Sequence, residues 1–358
     1  MGGGPDLAGP VGQRRVRQLR HLARRAVRAC DAADLGHGHA HRGAHRGGTQ
    51  GLRGGPIDVG LTGATGHLGS ILLERLLGDP RVGRVRSVAR RPVASHPKLV
   101  HTRGDLRGPD AQRALTGVDV LWHLGFQLWR QRAGAEPEGT NVAGTTNVVS
   151  ARPGRIVFAS SAAVYGAWPG NRLPLDETVT PRPNPECPYA SQKLEAERIC
   201  ADAAPSIVLR ICAVLGAHAD PAVRRASAGY RRVVPAATGV RQAVQFLHED
   251  DAADALFEAG MSGVTGCYNV ATEDWLEPEQ ISDIAGGRVL RAPLRVLVTG
   301  AELAYRVRLL GFGADRAVLL GGPLALDPAR AREDWGWQPR QASGDVLRDF
   351  LGRHSSRR

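Results

Sequence analysis

Lysine is almost missing from this chain. Of 47 basic side chains only Lys98 and Lys193 are lysines, and every other is arginine. Arginine serves wherever a generic positive charge will do, so a lysine marks a place where a compact ammonium is wanted. Long apolar runs are lacking as well. No stretch of 18 uncharged apolar residues exists, and the apolar segment 309–326 is interrupted by Asp315 and Arg316. No membrane span is therefore expected. The five cysteines (Cys30, Cys187, Cys200, Cys212, Cys267) are odd in number, scattered, and include no C-x-x-C pair. That argues against a disulfide framework or a zinc site and points to a reducing, cytoplasmic setting. Residues 1–55 contain no Ser, Phe, Tyr, Trp or Ile. They cannot bury enough apolar surface to offset chain entropy, so a disordered extension is expected there. The same segment has no secretory apolar core.

What charge there is sits mostly in that arm. Residues 1–55 hold ten Arg and three Asp, +7 of the net +12, which leaves about +5 for the other 303 residues. The body is not strongly basic, and a nucleic-acid partner is not expected of it. Residues 16–26 could form one short basic amphipathic helix. His37, His39, His41 and His45 read as part of a flexible tail, and no metal site is expected. Over the whole chain, 42% hydrophobic content and a mean hydropathy of -0.24 describe a soluble globular protein.

Order begins at Pro56. Ile57, Val59 and Leu61 alternate as a strand, a glycine turn follows, and an apolar helix runs over 70–77 until Gly78 stops it. Strand-like runs recur at 85–89, 99–101, 118–123, 155–160 and 206–211, with helical stretches near 110–116, 141–151 and 189–203 between them. This alternation predicts an α/β fold with a doubly wound parallel Rossmann-type sheet. After residue 213 only one more strand, 267–270, is clear, and 327–351 reads as helix, turn, helix. The expected division is a 1–55 extension, a dinucleotide-binding domain over 56–212 with 243–272 returning to it, and a smaller substrate-binding region from 213–242 and 273–358.

Thr62-Gly-Ala-Thr-Gly-His-Leu-Gly69 lies between strand and helix, where glycines allow positive φ and close approach of a pyrophosphate to free helix N–H groups. At the end of the second strand an acid would bind a ribose hydroxyl, and arginine a 2′-phosphate. The chain has Arg90 and Arg91 there, which favours NADP over NAD. Tyr189-Ala-Ser-Gln-Lys193 places a phenol and one of the two lysines four residues apart, on one helix face. An ammonium beside a phenol favours the phenolate and lowers its pKa from about 10. Tyr189 is thus expected to give and take a proton near neutral pH.

With these motifs in order, the chain resembles the extended short-chain dehydrogenase/reductase family, the NAD-dependent epimerase/dehydratase group, from about residue 57 to the C-terminus. Gly63-x-x-Gly66-x-x-Gly69 matches its T-G-x-x-G-x-x-G. The resemblance implies cofactor binding by Gly63, Thr65, Gly66, His67, Leu68 and Gly69, by Arg90 and Arg91, and by Asp105 and Leu106 at the adenine. It also implies cofactor contacts from Leu124 and Gly125 in His123-Leu-Gly, from Asn141 of N-x-x-G-T, and from Tyr189 and Lys193. Phe158-Ala-Ser-Ser-Ala-Ala-Val-Tyr-Gly166 matches the strand-end S-S-x-x-V-Y-G. The implied catalytic set is Ser161, which holds the substrate oxygen, Tyr189, which moves its proton, and Lys193, which holds the nicotinamide ribose. Hydride transfer at a carbonyl or secondary alcohol follows, on a small-molecule substrate. Four positions, at three sites, depart from the nucleotide-sugar members. Ala213 replaces an Asn and Val244 an Arg that contact the diphosphate, with Arg241 three residues upstream as a candidate substitute. Ala162-Ala163 replaces the dehydratases' Asp-Glu. A net reductase or dehydrogenase and a UDP-glucose 4-epimerase-like enzyme both remain open, as does a non-catalytic NAD(P)-binding sensor. His248 and Asp251 read as a structural, buried hydrogen-bonded pair at a helix start. Relatives often pair through helices beside the active site, so a homodimer is one open arrangement.

Overall fold

The structure, a computed structural model, describes residues 55–128 and 137–355, with side chains from residue 139 to residue 352 in the second stretch. Apart from Gly55, the basic arm lies outside the described residues, and with it the 16–26 segment and the four histidines.

The chain runs β1 (Ile57–Thr62), α1 (His67–Gly78), β2 (Val82–Ala89), β3 (Leu99–Arg103), α2 (Pro109–Leu115), β4 (Val120–His123), α3 (Pro137–Val149), β5 (Ile156–Ser161), α4 (Pro188–Ala203) and β6 (Ser206–Ile211). Next come β7 (Ala213–Leu215), α5 (Pro221–Gly229), β8 (Val233–Ala237), β9 (Phe246–His248), α6 (Glu249–Ser262) and β10 (Gly266–Val270). The last elements are α7 (Pro278–Ala285), β11 (Arg288–Ala292), α8 (Leu294–Arg306), α9 (Ala314–Ala317), α10 (Ala329–Trp335) and α11 (Ser343–Ser355).

Seven strands form one sheet in the order β10-β6-β5-β4-β1-β2-β3, and every pairing in it is parallel. The chain winds outward from β1 to β3, then returns past β1 to β4 and winds the other way. The reversal opens a crevice at the C-terminal ends of β1 and β4, where open α/β sheets bind ligands. Helices cover both faces, so β4 and β6 are buried throughout and are mostly apolar, with His123 and Arg210 as paired polar exceptions.

The core lies between α1, α6 and this sheet. Leu72 and Leu76 of α1 pack with Val59, Leu61, Trp122 and Leu256, each buried leucine contributing about 1.5–3 kcal/mol. Trp122 donates its indole N–H to the Leu256 carbonyl at 2.7 Å. A Cβ at Gly260 would stand 2.0 Å from the Trp122 ring, so only glycine lets α6 lie this close to β4.

The C-terminal third departs from expectation. Besides β10 it forms two separate parallel pairs, β8 with β11 and β7 with β9. These four strands are three to five residues long, and β11 is largely exposed, so they lack the apolar run that marks a buried parallel strand. The expected closing helix–turn–helix is present as α10 and α11, with Gly336 in the left-handed region between them. Among the described residues no helix is long and apolar enough to cross a membrane, and Cys187, Cys200 and Cys212 are free thiols.

Candidate active site

The glycine turn needs its glycines for geometric reasons. Gly63 has φ +76°, and a Cβ there would meet the Gly125 backbone at 2.8 Å. A Cβ on Gly69 would lie 2.0 Å from the Gly63 carbonyl oxygen. The turn closes through the Gly66 N–H, which donates to that oxygen at 2.8 Å. Gly66 is the N-cap of α1 and brings no side-chain cap, so the first helical N–H groups face the crevice with the positive end of the helix dipole. Thr65 and His67 line the same turn, and Leu68 anchors it in the core. Such a cradle suits an anionic pyrophosphate.

Around it the other expected cofactor residues fall into place at the strand ends. Arg91 donates to the Thr65 carbonyl oxygen, which folds it over the turn, while Arg90 beside it is exposed. Asp105 is held by Arg107 at 2.9 Å, and the hydrogen bonds from Arg107 keep its carboxyl below the usual range. Leu106 abuts Gly125, where an added Cβ would come within 2.6 Å of its side chain. Leu124 and Gly125 leave β4 under a relay of hydrogen bonds. Thr145 donates to the Asn141 carbonyl oxygen at 2.9 Å, so its hydroxyl accepts from His123 Nε2 at 2.9 Å. The other ring nitrogen, Nδ1, then accepts from the Thr62 hydroxyl at 2.7 Å, which in turn accepts from the Gly125 N–H. His123 is buried, and burial followed by the charge of Lys193 pushes its pKa down to about 3. It is a neutral structural relay. Asn141 clasps the backbone of Gln127 through both ends of its amide and also donates to Gln192 Oε1 at 2.7 Å.

Ser161 ends β5, and its hydroxyl accepts from the Ala163 N–H at 3.2 Å. Tyr189, in the first turn of α4, has its phenol near enough to Ser161 for that hydroxyl to pull the phenol's pKa down. One turn on, Lys193 lies with Nζ 5.8 Å from the Tyr189 ring centroid. The three expected catalytic residues therefore share one corner at the C-terminal end of the sheet. The electrostatics differ from the simple expectation of a phenol acidified by its lysine. Burial raises the Tyr189 phenol above its ordinary value, and the cation that offsets this is Arg316, followed by the Ser161 hydrogen bond. The Lys193 ammonium points instead at the Ala159 carbonyl oxygen, 2.5 Å away, over the rings of Phe126 and Phe158 at 3.8 and 4.8 Å. Burial lowers its pKa to about 7.

Comparisons with known proteins show the family. The model of the NAD dependent epimerase/dehydratase family matches residues 59–271, more than half of the chain, including the glycine turn and Ser161, Tyr189 and Lys193. The chain belongs to that family. A protein of Mycobacterium tuberculosis, described only as uncharacterised, is 26% identical over 320 residues, 83% of this chain and 84% of its own. Two enzymes share the fold. The dTDP-glucose 4,6-dehydratase DesIV of Streptomyces venezuelae, solved with NAD and TYD, has TM-score 0.65 at 19% identity over 84% of this chain and 98% of its own. The UDP-glucose 4-epimerase of Thermotoga maritima, solved with UDP-glucose, has TM-score 0.64 at 18% identity over 84% and 99%.

As an epimerase/dehydratase family member the chain carries features that its motifs did not announce. Behind Ser161 a buried ion pair joins Arg210 of β6 to Glu197 of α4 at 2.9 Å. Ser160 also contacts Glu197, and Arg210 donates to the Tyr165 hydroxyl at 3.0 Å. Glu197 is four residues beyond Lys193, so the stripe Tyr189, Lys193, Glu197 holds α4 against the sheet. That spacing was the available signal. At the turn, His67 Nε2 lies 2.7 Å from Glu249, which also takes the N–H groups of Ala217 and His218 and the His218 ring. Burial alone would raise the Glu249 carboxyl, but the hydrogen bonds from His67 and His218 bring it down to about 2.

Two minor expectations change. His248 and Asp251 are not paired with each other: His248 caps α6 by accepting from the Asp250 N–H at 3.2 Å, whereas Asp251 receives the Arg340 N–H at 3.0 Å. Arg241 is engaged by Glu277 at 2.8 Å, an exposed pair. Val244 bridges Leu276 and Leu324, and Ala213 opens β7.

Proposed function

We propose that the chain is an NAD(P)-dependent oxidoreductase of the extended short-chain dehydrogenase type, acting at a carbonyl or secondary alcohol with Tyr189 as general acid and base. The gathering of Ser161, Tyr189 and Lys193 at the strand ends beside the glycine turn carries this reading. A dinucleotide fits the cradle, since Gly63, Gly69 and Gly125 each leave room that a Cβ would fill and the first N–H groups of α1 are not capped by side chains. Bound there, the nicotinamide supplies the hydride donor or acceptor. Ser161 and Tyr189 hold the substrate oxygen, and Tyr189 moves its proton at the phenolic oxygen. Lys193 holds the nicotinamide ribose, and Asn141 keeps the 127 backbone and Gln192 in place beside it. Arg90 and Arg91, with no acid at the end of β2, support NADP over NAD. Residues 213–242 and 273–358 contribute the substrate side.

The alternative is transient oxidation in a nucleotide-sugar epimerase, the activity named for the Thermotoga maritima relative. Ala213, Val244 and the engagement of Arg241 by Glu277 favour the net oxidoreductase, because the diphosphate contacts expected of an epimerase are not supplied there. Ligand identified by mass spectrometry after purification, followed by turnover with NADPH and NADH, tests both readings. Stoichiometric cofactor consumption with a reduced product supports the first, and isomerised product without net cofactor turnover supports the second.

A further inference from the structure

Of the two cations over the Tyr189 ring, Lys193 is the farther, at 5.8 Å from its centroid. Arg316, on the short helix α9, places its guanidinium carbon 4.1 Å from the Tyr189 ring centroid. The same guanidinium donates to the Leu128 carbonyl oxygen and lies 3.9 Å from Asp315. α9 belongs to the C-terminal third, so this contact joins the substrate side to the first turn of α4.

Among the described residues, five charged, polar or aromatic groups lie around the phenol. Ser161 approaches from the end of β5, and Phe126 packs edge-on at 5.8 Å. Cys187 precedes α4, and burial raises its thiol, which keeps it neutral. Lys193, on the phenol's own helix, is turned toward Ala159, and with a pKa of about 7 it is only partly charged at neutral pH. Arg316 is the fifth, and a guanidinium does not lose its proton in a protein. A cation over an aromatic face is attracted by the ring, and more strongly by a ring that has become phenolate.

We propose that Arg316 is a positioning residue for Tyr189: its guanidinium clamps the ring against α4 and supplies the permanent positive charge under which the phenol gives up its proton. Lys193 is thereby freed to act chiefly as the ribose ligand. The chain's preference for arginine thus extends into the active site, where Arg316 takes the electrostatic half of the task usually given to the lysine alone. The proposal deepens the reading of Tyr189 as proton carrier and rests on it.

Fluorine NMR of the full chain labelled with 3-fluorotyrosine tests it, because the fluorinated phenol ionises at lower pH than tyrosine and needs no substrate. Tyr189→Phe assigns the resonance among the five tyrosines. Arg316→Gln retains hydrogen-bond donors toward Leu128 and removes only the charge, while Arg316→Met removes both. The expected result is a Tyr189 midpoint raised by about one unit or more, a tenfold loss of acidity, in Arg316→Gln, with Arg316→Lys within about half of that shift. Should Arg316→Met fail to fold, the glutamine variant alone decides. A Tyr189 midpoint unmoved in Arg316→Gln overturns the proposal, even where Tyr189→Phe abolishes turnover and so upholds the proton-transfer reading. A midpoint that moves while Tyr189→Phe turns over normally keeps Arg316 as the group governing the phenol and removes that phenol from the chemistry.

Discussion

The two sides of the crevice are built on different principles. On the cofactor side, β1, the glycine turn and α1 leave no slack: an added methyl at Gly69 would sit 2.0 Å from a backbone oxygen, and Leu72 and Leu76 are fully buried. On the substrate side, α8 buries only Tyr305, and Val296 and Leu303 are 59% and 62% exposed. One wall is held by backbone packing and the other by side chains reaching inward, Arg316 above all. On the proposed function, the cofactor chemistry sits on rigid elements and the substrate side sits where sequence change costs little.

Breaking the tight side should have the larger effect. Gly69→Ala forces the turn open, and NADPH affinity measured by fluorescence titration should fall by about 100-fold or more, the order of a displaced phosphate contact in a site that tolerates little misplacement. Retained affinity would mean that the turn is not the pyrophosphate cradle. Replacing Arg90 and Arg91 together by serine should weaken NADPH by about tenfold, roughly the worth of one charged hydrogen bond, and leave NADH unchanged. Equal losses for both cofactors would remove the proposed 2′-phosphate contact.

The buried relay makes the same contrast visible in pH. His123 has its pKa pushed from the ordinary value of about 6.5 to about 3. Between those values the unfolded chain binds a proton that the folded chain refuses, so stability falls as pH falls through that window. Thermal melts should show this slope, and His123→Asn should flatten it. An identical slope in the variant would assign the effect to other groups. On the loose side, Val296→Ser and Leu303→Ser should change stability by no more than about 0.5 kcal/mol. A larger loss in denaturant melts would show that this face is covered in solution.

The same contrast explains what could be read from the residues alone. The β1–β6 half was legible because strands covered on both faces must be apolar along their length, and because Gly63, Gly66 and Gly69 are dictated by backbone clearance. Tyr189, Lys193 and Ser161 could be named from spacing, since a helix turn and a strand end leave few choices. β7, β8, β9 and β11 were not legible, being three to five residues long, with β7 and β11 partly exposed. Arg316 was invisible for another reason: 127 residues separate it from Tyr189 in the chain, and among so many arginines nothing local marks it. The direction of the Tyr189 pKa shift cannot be read from the helix spacing that brings Lys193 alongside, because spacing does not say where the ammonium points, and here it points to Ala159.

The most direct test of the account follows the label from [4-²H]NADPH into product, comparing the wild-type enzyme with Tyr189→Phe on the substrate that co-purification identifies. The account predicts deuterium on the reduced carbon with the wild type. In a variant that still binds NADPH it predicts a rate lower by about 10²–10⁴-fold. Label transfer at the wild-type rate in Tyr189→Phe would contradict it.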